Sequence, residues 1–164
     1  MSFEGSSLWR VRQKVGTELV LWPGATVLVQ RDDGRALLGL RGDTHEWAMP
    51  GGGAEEGSSF AGTAVTELRE EAGLRADPSD LEAFASISEP GNHLITYPNG
   101  DRTHYFGIWF LLRRWEGEPV ADGHEMLELG WFDPRELPEP LMSSSAEGFE
   151  LFWEWRRTGR FQAR

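Results

Sequence analysis

Residues 50–74 read PGGGAEEGSSFAGTAVTELREEAGL, a glycine-rich stretch that runs straight into a helix. Ala61, Ala64, Val65, Leu68 and Ala72 fall at i, i+3, i+4, i+7 and i+11, the spacing of one helical face. Ser59 suits the N-cap and Gly73 the C-terminal stop. With Ala61 set at zero and about 100° per residue, the apolar positions lie within about 60° of zero and face a core. Glu67, Glu70 and Glu71 then fall between about 180° and 280°, on the opposite flank. Like charges so placed destabilise an exposed helix by about 0.2–0.5 kcal/mol per pair, a penalty that a bound cation removes. All-oxygen ligands suit hard Mg²⁺ or Mn²⁺ better than zinc. The competing explanation is an ordinary solvated acidic face.

The glycines before the helix favour the cation. Met49-Pro50-Gly51-Gly52-Gly53 reads as a loop with unusual backbone angles, and a backbone bare of side chains can approach a ligand closely. Trp47 is expected to pack beneath it.

Working outward, Leu19–Trp22 and Ala25–Gln30 are strand formers separated by Pro23-Gly24. The turn Arg31-Asp32-Asp33-Gly34-Arg35 and the strand Ala36–Arg41 complete a hairpin over 25–41. Strand signals return at 81–88, 103–113 and 126–132, with a tight turn at 97–101. Ser144-x-x-Glu147 fits a capping box opening an amphipathic helix over about 144–158, with Arg156 and Arg157 at the negative end of its dipole. The alternation of strands and helices predicts an α/β fold with a mixed sheet packed between helices, in one domain over 1–164.

The chain has 164 residues, 39% hydrophobic and 26% charged, enough for a sizeable core and too apolar for disorder. Sixteen Lys and Arg against 27 Asp and Glu give a net charge of -11, which argues against nucleic acid or an anionic membrane as the main partner. The absence of cysteine excludes disulfides, thiolate metal sites and a cysteine nucleophile. No apolar run reaches the roughly 18 residues of a membrane span, and the first residues do not read as a secretory signal. The expectation is a cytoplasmic protein. Lys14 stands beside fifteen arginines, a compositional bias.

The stretch 52–74 resembles the Nudix box, G-x5-E-x7-R-E-U-x-E-E-x-G-U, where U is a bulky aliphatic residue. Gly52, Glu67, Leu68, Glu70, Glu71, Gly73 and Leu74 match, seven of the nine specified positions. Ser58 stands where the family has a glutamate and Thr66 where it has an arginine. Trp47-Ala48-Met49-Pro50 and the segment 130–137 extend the resemblance over about 20–140. It implies the Nudix α/β/α sandwich and hydrolysis of a nucleoside diphosphate linked to another moiety. It also implies that Glu67, Glu70 and Glu71 hold Mg²⁺ or Mn²⁺ with the Gly52 carbonyl, Glu67 serving as ligand or base.

A further carboxylate beyond the box, as base or ligand, would be Glu125, with Glu128 its rival. For the substrate, Trp9, Tyr97, Tyr105 and Trp109 are candidates to stack on a base, and Arg31, Arg41 and Arg102 to hold a phosphate. Of these, Arg41 and Tyr105 are the candidate substrate-binding residues. His93 and His104 lack metal-ligand spacing and read as polar surface or loop residues. Arg69 points about 160° from Glu67 and cannot replace the arginine missing at 66. Two functional readings follow: a metal-dependent hydrolase, and a weakly active or inactive Nudix domain that binds a nucleotide-type ligand as a sensor. Dimerisation is common in the family, and the aromatic-rich termini could support it.

Overall fold

Leu19–Val29 forms one unbroken strand, β1, in the computed structural model, which describes residues 4–97 and 99–164. The expected break at Pro23-Gly24 does not occur. β1 runs parallel to β7 (Arg102–Leu112) in continuous register from Leu19↔Arg102 to Val29↔Leu112. Pro23 has no N–H to give, but its carbonyl still accepts the Ala54 N–H at 2.8 Å. Gly24 is required for close approach, because a Cβ there would sit 2.2 Å from the Tyr105 hydroxyl.

The hairpin expected over 25–41 is corrected. The turn closes, with Gly34 N–H donating to Arg31 O at 2.9 Å, yet only the bridge Gln30↔Ala36 joins the two arms. β1 and β2 (Ala36–Arg41) then part into different sheets. Both strands are apolar on two faces, so each can be covered from both sides. Leu28, Ala36 and Leu38 enter one core cluster, while Val27, Val29 and Leu37 enter the other.

The mixed sheet expected from sequence is present, and a second, antiparallel sheet accompanies it. A six-stranded mixed sheet has the order β4 (Gly51–Gly53), β1, β7, β5 (Glu82–Ile87), β9 (Gln162–Ala163), with β6 (Leu94–Thr96) also pairing β7. A three-stranded antiparallel sheet has the order β3 (Trp47–Ala48), β2, β8 (Met126–Phe132). The sandwich itself stands. Helix α2 (Phe60–Ala72) puts Ala64, Leu68 and Ala72 into the cluster with Val27 and Phe110. Helix α4 (Ser143–Thr158) puts Phe149, Leu151 and Phe152 into the other, with Phe84 and Trp109. Burying each such Leu or Phe side chain contributes about 1.5–3 kcal/mol relative to leaving it exposed. α4 lies so close to β7 that a Cβ on Gly148 would fall 1.7 Å from the Trp109 ring.

Two helix termini depart from expectation. α4 begins after Met142 with no side-chain cap, so the capping box does not form. The Glu147 carboxylate turns instead to His93 at the end of the short helix α3 (Pro90–His93), 3.1 Å away. A nine-residue helix α1 (Ser7–Val15), unforeseen from sequence, precedes the sheet. Ser6 caps it by accepting the Trp9 N–H, and buried Arg12 anchors it, donating to Glu18 O at 2.6 Å, Arg102 O at 2.5 Å and Thr103 Oγ1 at 2.8 Å. No helix among the described residues is long and apolar enough to cross a membrane.

Candidate active site

The rotation of α2 about its axis is set at three points. Ser59 Oγ accepts the Gly62 N–H at 3.0 Å, Gly73 leaves the helix in the left-handed region at φ 69°, and Ala64, Leu68 and Ala72 are fully buried. That rotation directs Glu67 and Glu71 toward β4. The sequence expectation for β4 is corrected: Gly51, Gly52 and Gly53 form a short strand antiparallel to β1, and none has a positive φ.

Their glycines serve proximity. A Cβ on Gly51 would lie 2.5 Å from Ala25 O, and one on Gly53 would lie 2.3 Å from the indole nitrogen of Trp22. A Cβ on Gly52 would lie 2.6 Å from the carboxyl carbon of Glu67. The missing side chain at 52 is what lets that carboxylate rest against the strand. Trp47, on β3, packs edge-on against Phe132 with ring centroids 4.7 Å apart and lies against the core cluster that contains Met49.

Glu67, Glu71 and Glu125 come together, each offering an oxygen within 4.8 Å of the others. Glu71 is almost wholly buried, and its Oε2 accepts the Gly51 N–H at 2.8 Å. Glu125 arrives from the residue before β8. There the Asp122 carboxylate accepts the backbone N–H groups of Glu125 and Met126, and the Gly42 N–H donates to Glu125 O at 2.9 Å. Burial, with the repulsion of Glu70, Glu125 and Glu55, pushes the Glu67 carboxyl up to about 7. Burial, opposed by the Gly51 hydrogen bond and reinforced by Glu67 and Glu125, pushes Glu71 up to about 8. Three converging carboxylates with hard oxygen donors and this much mutual repulsion fit a divalent cation. Next to them the Gly52 carbonyl accepts the Tyr105 hydroxyl at 3.3 Å. Burial holds that phenol well above its ordinary range, so it stays a neutral donor.

Of the remaining sequence candidates, Glu70 lies outside this set of three and pairs with Arg69 at 3.3 Å. Glu128 is exposed on β8, so Glu125 is the residue that joins the cluster. Arg41 is close enough to act electrostatically on Glu71 and Glu125, and its guanidinium forks onto Asp43 with two 2.8 Å bonds. Trp109 is 2% exposed in the core and cannot stack on a ligand. Trp9 is half-buried on α1, Tyr97 is exposed, and Arg102 gives its backbone carbonyl to Arg12.

Arg31 lies over the Trp131 ring at 4.8 Å, at the far end of β2 from the cluster. His93 is buried rather than a surface residue, and His104 is half-buried, with Nε2 2.8 Å from Ser88 O. Ser58 is exposed before the helix and Thr66 is half-buried on it.

Sequence reasoning missed Glu55. It adds to the charge around Glu67, and its carboxylate is held by the Ser7 N–H at 3.0 Å and the Ser7 hydroxyl at 2.6 Å. Its only sequence signal is its place in the loop entering α2, because the helix that holds it, α1, carries no clear sequence signature.

Residues 20–152 match the family model of the NUDIX domain. An RNA pyrophosphohydrolase of Sphingopyxis alaskensis is 35% identical over 134 residues, covering 73% of this chain and 82% of that protein. A putative 8-oxo-dGTP diphosphatase of Bacillus subtilis is 30% identical over 115 residues, covering 70% of this chain and 68% of that one. Among solved structures, a MutT NUDIX hydrolase from Burkholderia pseudomallei superposes with a TM-score of 0.68 at 24% identity, over 80% of this chain and 98% of its own. With the family model covering most of the chain and the box residues gathered on one helix and one strand, this protein belongs to the Nudix hydrolase family.

Proposed function

We propose that this chain is a metal-dependent pyrophosphohydrolase that cleaves a phosphoanhydride bond in a nucleoside diphosphate linked to another moiety. The observation that carries the reading is the convergence of Glu67, Glu71 and Glu125 beside the bare backbone of Gly52. A diphosphate cannot approach three carboxylates unaided. Bound Mg²⁺ or Mn²⁺ neutralises that conflict, polarises the phosphoryl oxygen and makes water more acidic.

The chain's own residues then divide the work. Glu71, fixed by the Gly51 N–H, and the Gly52 carbonyl, which accepts the Tyr105 hydroxyl, would be the ligands held most firmly in place. Glu70, on the neighbouring flank of α2 and paired with Arg69, would add a further carboxylate to the ion only by turning from that pair. Glu67 and Glu125 would join Glu71 in holding the ion, and as coupled carboxylates they would share the further task of taking a proton from the attacking water. Arg41, held by Asp43 beside the cluster, offers a cation to the departing phosphate.

Ser58 and Thr66 favour a second reading, a domain that binds such a ligand with little turnover. One assay separates the two. Phosphate and nucleotide release is measured with Mg²⁺ or Mn²⁺ on nucleoside triphosphates, ADP-ribose, nucleotide sugars and a triphosphorylated oligoribonucleotide. Turnover that Glu71→Gln abolishes supports the hydrolase and names its substrate class. Metal-dependent binding without release of any product supports the binder.

A further inference from the structure

Against a net charge of -11, the arginines are not evenly spread. Five of them, Arg31, Arg35, Arg113, Arg135 and Arg156, line one cleft of about 720 Å³ together with Trp153. They come from four places in the fold: the turn after β1, the residue following β7, the segment after β8, and the last turns of α4. This end of the molecule lies away from the acidic cluster. Ala36 of β2 pairs Phe132 beside the cleft, while Arg41 pairs Met126 beside Glu125. The separation along β2 is about 15–20 Å at roughly 3.3 Å per residue.

Three aspartates share the cleft, and two are already engaged. Asp33 forks onto Arg31 and also accepts the Arg35 N–H at 3.1 Å, and Asp133 accepts the Arg135 N–H at 2.9 Å. Arg113 reaches Glu82 at 3.6 Å in an exposed pair that contributes little. For Arg35, Arg135 and Arg156 no carboxylate lies within ion-pair distance among the described residues. The Arg156 guanidinium rests over the Phe152 ring at 5.9 Å, and Trp153 beside it is 39% exposed.

From this placement we infer that the cleft is a second anion site, one that binds a nucleoside polyphosphate without a divalent metal. Guanidinium forks match phosphate oxygens, and an exposed indole offers a face to a base. The volume falls within the range of about 300–1,000 Å³ typical of small-ligand sites. The acidic surroundings select a compact polyanion and repel a long one.

Binding of ATP and of inorganic tripolyphosphate is measured by calorimetry in EDTA at low and at raised salt. In EDTA the carboxylate cluster repels phosphate, so binding reports the arginine cleft alone. The expected result is ATP binding that weakens as salt rises. Arg135→Gln with Arg156→Gln weakens it at least tenfold, each change singly weakens it less, and circular dichroism of these variants stays unchanged. Trp153→Ala lowers the affinity for ATP but not for tripolyphosphate. Glu71→Gln leaves the binding intact while removing turnover, which keeps this site separate from the proposed catalytic one. Absence of binding in EDTA overturns the inference, as does binding that ignores the arginine changes. Equal affinity for ATP and tripolyphosphate refutes its nucleoside part. A single-stranded oligonucleotide that binds more tightly than ATP refutes the choice of a compact ligand.

Discussion

Glu71 shows how one residue can hold two obligations. It is 2% exposed, yet it belongs to a face that helical periodicity places opposite the core. The resolution is that β4 covers that flank, and the Gly51 N–H satisfies one carboxylate oxygen. Glutamine at 71 keeps an acceptor for that N–H and removes the charge. Glu71→Gln therefore should lower kcat by two orders of magnitude or more while leaving the fold intact, as read by steady-state kinetics and circular dichroism. Gly52→Ala is the complementary change. Its Cβ would fall 2.6 Å from the Glu67 carboxyl, so that carboxylate must move. Turnover is expected to fall at least tenfold, with a melting temperature near that of the wild type.

The same residues mark what the sequence makes legible. The helix over 60–72 and its carboxylates are local, set by caps and periodicity, and they could be read directly. The buried state of Glu71 and the exclusion of Glu70 from the cluster depend on β4 and on Glu125, which enters from 54 residues along the chain. No local pattern carries that information. Tyr105 was legible only as an aromatic on a strand; its bond to the Gly52 carbonyl depends on the parallel register of β1 and β7.

At the scale of elements, the misread features share one cause. Local turn chemistry predicts a break at Pro23-Gly24, a loop at the glycine triplet and a hairpin over 25–41, and in each case tertiary pairing decides otherwise. Glycine at 51–53 is selected by what presses against it, not by φ. Helix α1 is too short and polar to announce itself, and it is fixed by Arg12 reaching carbonyls 6 and 90 residues away. Arg12→Ala should free it, leaving Arg102 O and Thr103 Oγ1 without their donor. Amide hydrogen exchange over residues 7–15 would then accelerate while that in β5 and β7 stays slow. The α4–β7 contact is tighter still. Gly148→Ala drives a methyl group into the Trp109 ring and should destabilise the fold by about 1–3 kcal/mol in urea titration.

For the molecule as a whole, charge is the organising quantity. Glu67 and Glu71 titrate near 7 and 8, above the ordinary value of 4.5 for the unfolded chain. Between about pH 5 and 8 the folded state therefore holds protons that the unfolded chain has already released, and stability falls as pH rises through that window. The aspartates held below their usual range, Asp33, Asp43 and Asp122 among them, act oppositely and only under more acidic conditions. In EDTA the melting temperature is expected to peak near pH 5 and decline toward pH 9. Glu71→Gln should flatten the decline, and added Mn²⁺ should reverse it.

The Glu67–Glu71–Glu125 cluster is expected to hold the divalent ion on which hydrolysis depends. Its most direct test is a Mn²⁺ titration at pH 8, with free Mn²⁺ counted by electron paramagnetic resonance, on wild type and on Glu67→Gln, Glu71→Gln and Glu125→Gln. Saturable binding to the wild type is expected, weakening at least tenfold in each variant. Wild-type affinity in all three variants, or no saturable binding to the wild type, would contradict it.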